Sequence, residues 1–190
     1  MPGRLWVGIL LGCGATLTAL ELPYVNWRLV VPPIDTRPLV IRQDAKGDGR
    51  FQSPRSGNRR HRGTDLVAPI DSPVRALRSG TVVQVGLHRG LGQFVELKHR
   101  RGLRSRYAHL QTVRVEGGQR VRQGAVIGTV GKTGNARHAQ ITSHLHLEVL
   151  QDGVPIDPQT LGLAVAETPL LPLARSESVR SRSLDGRGGE

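Results

Sequence analysis

Turn residues recur so often between residues 49 and 162 that no long helix fits there. The stretches between them read "TDLVA", "PVRAL", "GTVVQVG", "GQFVELKH", "LRSRYAHL", "VRVEGG", "AVIGTVG" and "HLHLEVL". Short runs rich in Val, Leu and Ile, bounded by Gly, Pro, Asn and Asp, are strand and turn signals. No segment carries a helical apolar spacing of comparable strength. Aromatic residues make up only 3% of the chain, so the core is expected to be aliphatic. The fold class expected is all-β, a domain of twisted antiparallel sheets of short strands over residues 49–162. A chain of 190 residues has room for one such domain with non-globular extensions.

The extensions are of three kinds. After Arg4 the run "LWVGILLGCGATLTAL" is uncharged until Glu21. It is short for a membrane-spanning helix, which needs about 20 residues. A positive start followed by apolar and small residues reads as a signal peptide or a membrane anchor over residues 1–20, and hence as an exported, cell-envelope protein. Within it, "LLGC" resembles a lipobox that places a lipid on Cys13, with Leu11 an unusual choice before the small residue. Residues 21–48 hold prolines at 23, 32, 33 and 38 around "WRLVV" and "PLVI". They read as a linker or pro-segment able to lay a strand on the domain. Residues 163–190 end in a mixture of Pro, Ser, Arg and Gly without periodicity, the composition of a disordered tail.

The net charge of +12 implies an anionic partner: nucleic acid, lipid head groups or a cell-wall polymer carrying carboxylates and phosphates. The basic clusters "RSGNRRHR" and "KHRRGLRSR" lack the aromatic interleaving of a single-strand binding platform, and no nucleic-acid module is recognisable. Cys13 is the single cysteine, so a metal site would have to use histidine and carboxylate.

Such residues occur in a pattern. In "SHLHLEV", His144, His146 and Glu148 alternate with Leu145, Leu147 and Val149, as on a half-buried strand with a polar, histidine-rich face. Two imidazoles on one face are close enough to line one site, one on a metal and the other on a substrate. In "HRGTDL", His61 and Asp65 point together across Gly63, whose missing side chain leaves room for an ion. Imidazole and carboxylate suit zinc. "YAHL" adds His109.

In order and spacing, "HRGTD", "GTVVQVG", "YAHL", "VEGGQRVRQGAVIGTVGKTGN" and "HLHLEV" resemble the lysostaphin/LytM-type zinc metallopeptidases, which cut peptide cross-links in bacterial peptidoglycan. The resemblance covers residues 61–158 and implies a fold like the duplicated hybrid motif. It also implies that His61, Asp65 and His146 bind Zn2+, while His109 and His144 flank the attacking water and the substrate oxygen. Zinc-dependent hydrolysis of peptidoglycan cross-links is the function implied. The family's usual Phe-Gly-x-Arg stretch is replaced by "RFQSPRSGNRR", so its substrate preference does not carry over. His88 and His99 match no motif position and are expected to be solvated, and His138 to be a loop residue. Three other classes compete: a non-catalytic peptidoglycan-binding or amidase-activating module of the same fold, a carrier or sugar-phosphotransferase domain with similar Gly-Val turns, and a nucleic-acid binder. Lys132 in "GKTG" lacks the flanks of a modifiable carrier lysine.

Overall fold

The structure, a computed structural model, describes residues 30–166. The apolar run at residues 5–20, with Cys13, and the tail from residue 168 lie outside the described residues.

Nine strands form the main sheet. In chain order they are β1 (Thr64–Val67), β2 (Pro73–Arg75), β3 (Gly80–His88), β4 (Gly92–Lys98), β5 (Leu103–Val113), β6 (Arg120–Val121), β7 (Val126–Val130), β8 (His144–Gln151) and β9 (Val154–Ile156). The path β6-β3-β4-β5-β7-β2 is antiparallel throughout, and β8 branches from β5 to carry β1 and β9 on its far side. The expected all-β, antiparallel architecture is what the chain adopts. Its core is aliphatic, built on Leu66, Val74, Leu77, Val95, Leu97, Leu110, Ile127, Leu145 and Leu147, with Tyr107 the one fully buried aromatic ring among the described residues.

Strand β5 changes neighbours half-way. Leu103 to Ala108 pair with β8, whereas Leu110 to Val113 pair with β7. At the junction the register with β4 shifts and His109 adopts a positive φ of 62°. A bulge of this kind re-aims the side chain it carries. In regular alternation His109 would follow Tyr107 into the core; the bulge turns it toward the face that bears His146.

Two expectations change. Strand β8 is not half-buried: residues 144–150 are all buried, because β8 is paired on both edges and its polar face lies under other chain segments. The folded unit also extends past 49–162 at both ends. Val30, Ile34, Leu39 and Ile41 enter the core, and Leu39–Val40 pairs in parallel with Val165–Ala166. Bridges join Ile34 to Val74 and Ile41 to Leu66. Ile34 and the apolar residues of "PLVI" thus act as a strap over β2 and β1, whose burial stabilises at roughly 25 cal/mol per Å² of apolar surface.

Candidate metal centre

The pairing of β1 with β8 sets Asp65 opposite His146 and Val67 opposite His144. His61 reaches the same place because the chain before β1 lies hard against β8. A Cβ on Gly63 would collide with the Leu147 carbonyl and stand 3.0 Å from the His146 ring. Gly63 therefore makes room for the neighbouring strand and ring rather than for an ion, a correction to the sequence reading. His61 Nε2, Asp65 Oδ1 and His146 Nδ1 form a tight triangle, with separations of 3.1 Å (His61 to Asp65), 2.7 Å (His146 to Asp65) and 3.0 Å (His61 to His146). Tetrahedral zinc spaces its ligands about 3.3 Å apart, close to these values. His144 Nε2 is 3.8 Å from the same Asp65 oxygen, and the His109 ring centre is 5.0 Å from that of His144 and 5.7 Å from that of His146. All five residues are buried. The structure brings all five together.

Outer partners fix the proton on each ring. His61 Nδ1 lies 2.9 Å from the Arg50 carbonyl, His109 Nδ1 2.9 Å from that of Thr133, and His144 Nδ1 2.6 Å from that of Thr142. A carbonyl only accepts, so in each neutral ring Nδ1 carries the proton and Nε2 presents a lone pair. His146 is turned the other way, its Nε2 lying 3.4 Å from the Glu148 carboxylate and its Nδ1 facing inward. Three lone-pair donors then face one another with no proton between them. That arrangement fits a divalent cation, and its donor set of two imidazoles and one carboxylate is compatible with zinc.

Without an ion a proton substitutes for it. Burial disfavours a charged His146, but hydrogen bonds to Asp65 and Glu148, with their charges, outweigh it and push the ring up to about 9. Burial likewise opposes ionisation of Asp65, yet the bond from His146, with its charge, holds it well below the ordinary carboxylate range. His109 goes the other way, pushed by burial and then by His146 and His144 down to about 3, and burial also lowers His144. Both rings stay neutral and keep a lone pair on Nε2.

Several contributors are invisible in the motifs. Arg42 donates from Nε and Nη2 to Asp65 Oδ2 at 3.2 and 3.0 Å and from Nη1 to Asp44 at 2.6 Å, which leaves Asp65 Oδ1 to the triangle. Glu148 also accepts from Arg106 at 2.7 Å, and Arg106 reaches on to Glu96 at 2.6 Å. The period-2 pattern put Glu148 on the His146 face, a signal that could have marked it as that ring's partner. Nothing in the sequence marked Arg42. The Thr133 loop is held by glycine: Gly134, with φ of 62°, packs so closely on Gly92 that a Cβ would strike the backbone there.

The other histidines stand apart. His99 is buried, not solvated as expected: its Nδ1 meets the Ser79 carbonyl at 3.0 Å and its Nε2 the Ser105 hydroxyl at 2.7 Å. His88 is exposed at the rim of the groove, and His138 is exposed at the end of a short 3-10 turn. The groove over the triangle measures about 410 Å³. A larger hollow of about 560 Å³ beneath residues 30–37 and 160–164 has Arg37 as its one ionisable lining residue and offers no comparable chemistry.

The model of peptidase family M23 matches residues 59–158, more than half of the chain. The chain belongs to peptidase family M23. Among family relatives, the peptidoglycan DD-endopeptidase ShyC of Vibrio cholerae is 38% identical over 108 residues, 57% of this chain and 24% of that protein. The chain thus spans between about a quarter and a half of the length of the curated relatives it matches. Among solved structures, a zinc-containing peptidase from Vibrio cholerae superposes with a TM-score of 0.54 at 32% identity, covering 65% of this chain and 37% of that one. The catalytic domain of the antimicrobial peptidase lysostaphin from Staphylococcus simulans gives 0.53 at 30% identity, covering 63% of this chain and 92% of that one. The M23 resemblance read from the motifs is borne out.

Proposed function

We propose that this M23 chain is a zinc-dependent endopeptidase that hydrolyses peptide cross-links of bacterial peptidoglycan. One observation carries the reading: an inward-facing His61, Asp65 and His146 triangle, bordered by two further neutral histidines whose Nε2 atoms lack protons. His61, Asp65 and His146 would hold the zinc. When bound, zinc supplies Lewis acidity, lowering the pKa of a water and polarising the scissile carbonyl. His109 and His144 stand to take the proton of the attacking water at Nε2 and return it to the leaving amine, a contribution of about 10²- to 10⁴-fold. The Thr133 and Thr142 carbonyls hold both rings in the tautomer this needs. Glu148 and Arg42 keep His146 and Asp65 oriented. All five family positions are occupied and clustered, which disfavours a non-catalytic binding or amidase-activating module.

This substrate lies outside the cytoplasmic membrane, and Arg4 with the apolar run after it would carry the chain there. A reporter active only outside the membrane, fused to residues 1–30, should be active; a reporter that stays silent removes this part of the reading. For the activity itself, the purified chain should hold about one zinc and release soluble muropeptides from isolated peptidoglycan. A chelator should abolish release and added zinc should restore it. A zinc-loaded chain that binds peptidoglycan without releasing fragments would overturn the hydrolase reading.

A further inference from the structure

The groove above the metal centre is strongly cationic. Arg42, Lys46, Arg55, Arg59, Arg60 and Arg62 line it against two carboxylates, Asp65 and Glu148. Some of these cations are already engaged. Arg42 is bound to Asp44 and Asp65, and Arg55 lies 3.7 Å from Asp65 while bonding to Ser53 and the Asp48 carbonyl. Arg59, Arg60 and Arg62 differ. Arg59 reaches only Ser56, at 3.0 and 3.4 Å, and Arg60 only the Gln52 carbonyl, at 3.3 Å. Arg62 is exposed at the groove beside His61. Among the described residues none of the three has an ion-pair partner.

Their placement is fixed relative to the metal ligands. Arg59 and Arg60 form one side of a hairpin with Pro54 and Arg55. That hairpin is tied to His61 by His61 N–H to the Ser53 carbonyl and Gln52 N–H to the His61 carbonyl, both at 2.9 Å. Arg60 and Arg62 flank His61 directly, so their Cα atoms stand about 3.8 Å from that of a ligand. An extended peptide advances about 3.3–3.6 Å per residue. All three side chains line the groove over the triangle, so a group one or two residues from a bond cleaved there passes along the wall they form, in a cleft that focuses positive potential. A guanidinium presents a fork of donors matched to a carboxylate.

We infer that Arg59, Arg60 and Arg62 form a subsite for a free carboxylate of the substrate, so that this chain prefers cross-links bearing a carboxylate within one or two residues of the cleaved bond. The inference rests on the hydrolase reading above and adds a selectivity to it. The probe is a cross-linked muropeptide dimer in two forms, with its carboxylates free or converted to carboxamides, which keep the shape and lose the charge. With the zinc-loaded full chain, kcat/KM for the free form should exceed that for the amidated form by about tenfold or more. The preference should shrink as salt rises toward about 1 M, where the screening length falls to about 3 Å. The double substitution Arg59→Gln with Arg60→Gln should bring the ratio of the two rates toward one. Equal rates on both forms with the unaltered chain, or a preference that survives both the double substitution and high salt, would overturn the subsite alone. Failure to cleave either form with zinc bound would remove the hydrolase reading and the subsite with it.

Discussion

The protein buries histidines in two places, and their surroundings are alike up to one point. At the metal centre, His61, His109 and His144 each give the Nδ1 proton to a backbone carbonyl; in the core between β4 and β5, His99 does the same with Ser79. The difference is at Nε2. His99 Nε2 meets the Ser105 hydroxyl at 2.7 Å, which in turn lies 2.9 Å from the Tyr107 hydroxyl. Tyr107 already accepts from the Leu77 N–H at 2.7 Å. With His99 neutral, the one order that gives every atom its partner has Tyr107 donating to Ser105 and Ser105 donating to His99. Each proton there has a taker. At the candidate metal centre the inward nitrogens of the neutral rings bring no proton, and without an ion an extra one on His146 has to fill the gap. Burial alone therefore does not set the two clusters apart, whereas the supply of protons does.

Removing residues from each cluster sharpens that contrast. The largest effect is expected from His146→Ala, which should lose bound zinc and muropeptide release together, because two remaining protein ligands hold an ion far more weakly than three. His144→Ala and His109→Ala should retain about one zinc while turnover falls by about 10²-fold or more. Metal analysis beside a release assay separates the classes. If His144→Ala lost its metal and His146→Ala kept it, the roles would be reversed.

Next in size are the residues behind the ligands. Glu148→Gln weakens the acceptor that orients His146, and zinc affinity measured by chelator competition should fall by about 10- to 100-fold. Arg42→Gln should do the same through Asp65. It should also lower stability by about 3–5 kcal/mol in urea unfolding, since it strands a buried carboxylate. By contrast, His99→Gln should leave zinc content and turnover alone and cost about 1–3 kcal/mol, the penalty for disturbing a satisfied buried network. A loss of zinc in His99→Gln would break the separation of the two clusters.

Much of this was legible in the sequence, for reasons that also explain the gaps. Period-2 alternation exposes which residues share a face, so the strands and the face of His144, His146 and Glu148 could be read directly. Family motifs supplied His61, Asp65 and His109. Arg42 could not be read, because it reaches Asp65 through the register of Ile41 with Leu66, a long-range pairing that no local pattern encodes. The bulge at His109 was hidden for the same cause: it arises where β5 exchanges β8 for β7. His99 looked solvated because "KHRRG" is a basic turn sequence, yet its ring folds back under β5 to Ser105. The strap at residues 30–48 looked like a linker because prolines interrupt it, while its few apolar residues are placed where β1 and β2 need cover.

The smallest expected effect is also the most direct check on the His99 proton order. Burial lowers the His99 pKa below its ordinary value of 6.5, overriding the favourable bond to Ser79. The unfolded chain, where the ring titrates normally, then binds a proton more readily than the folded one. Stability from this residue is therefore fully present above pH 6.5 and is lost as pH falls from there toward the lower folded value. The slope can reach at most about 1.4 kcal/mol per pH unit. Other groups titrate in the same range, so the useful quantity is a difference: urea unfolding of the unaltered chain minus that of His99→Gln, at pH 7.5, 6.5 and 5.5. The gap should narrow as pH drops, because glutamine has no proton to gain. A gap that widened at low pH would mean that folded His99 holds two protons, with Ser105 then donating to Tyr107. The core relay would run in the opposite direction, and its contrast with the metal centre would disappear.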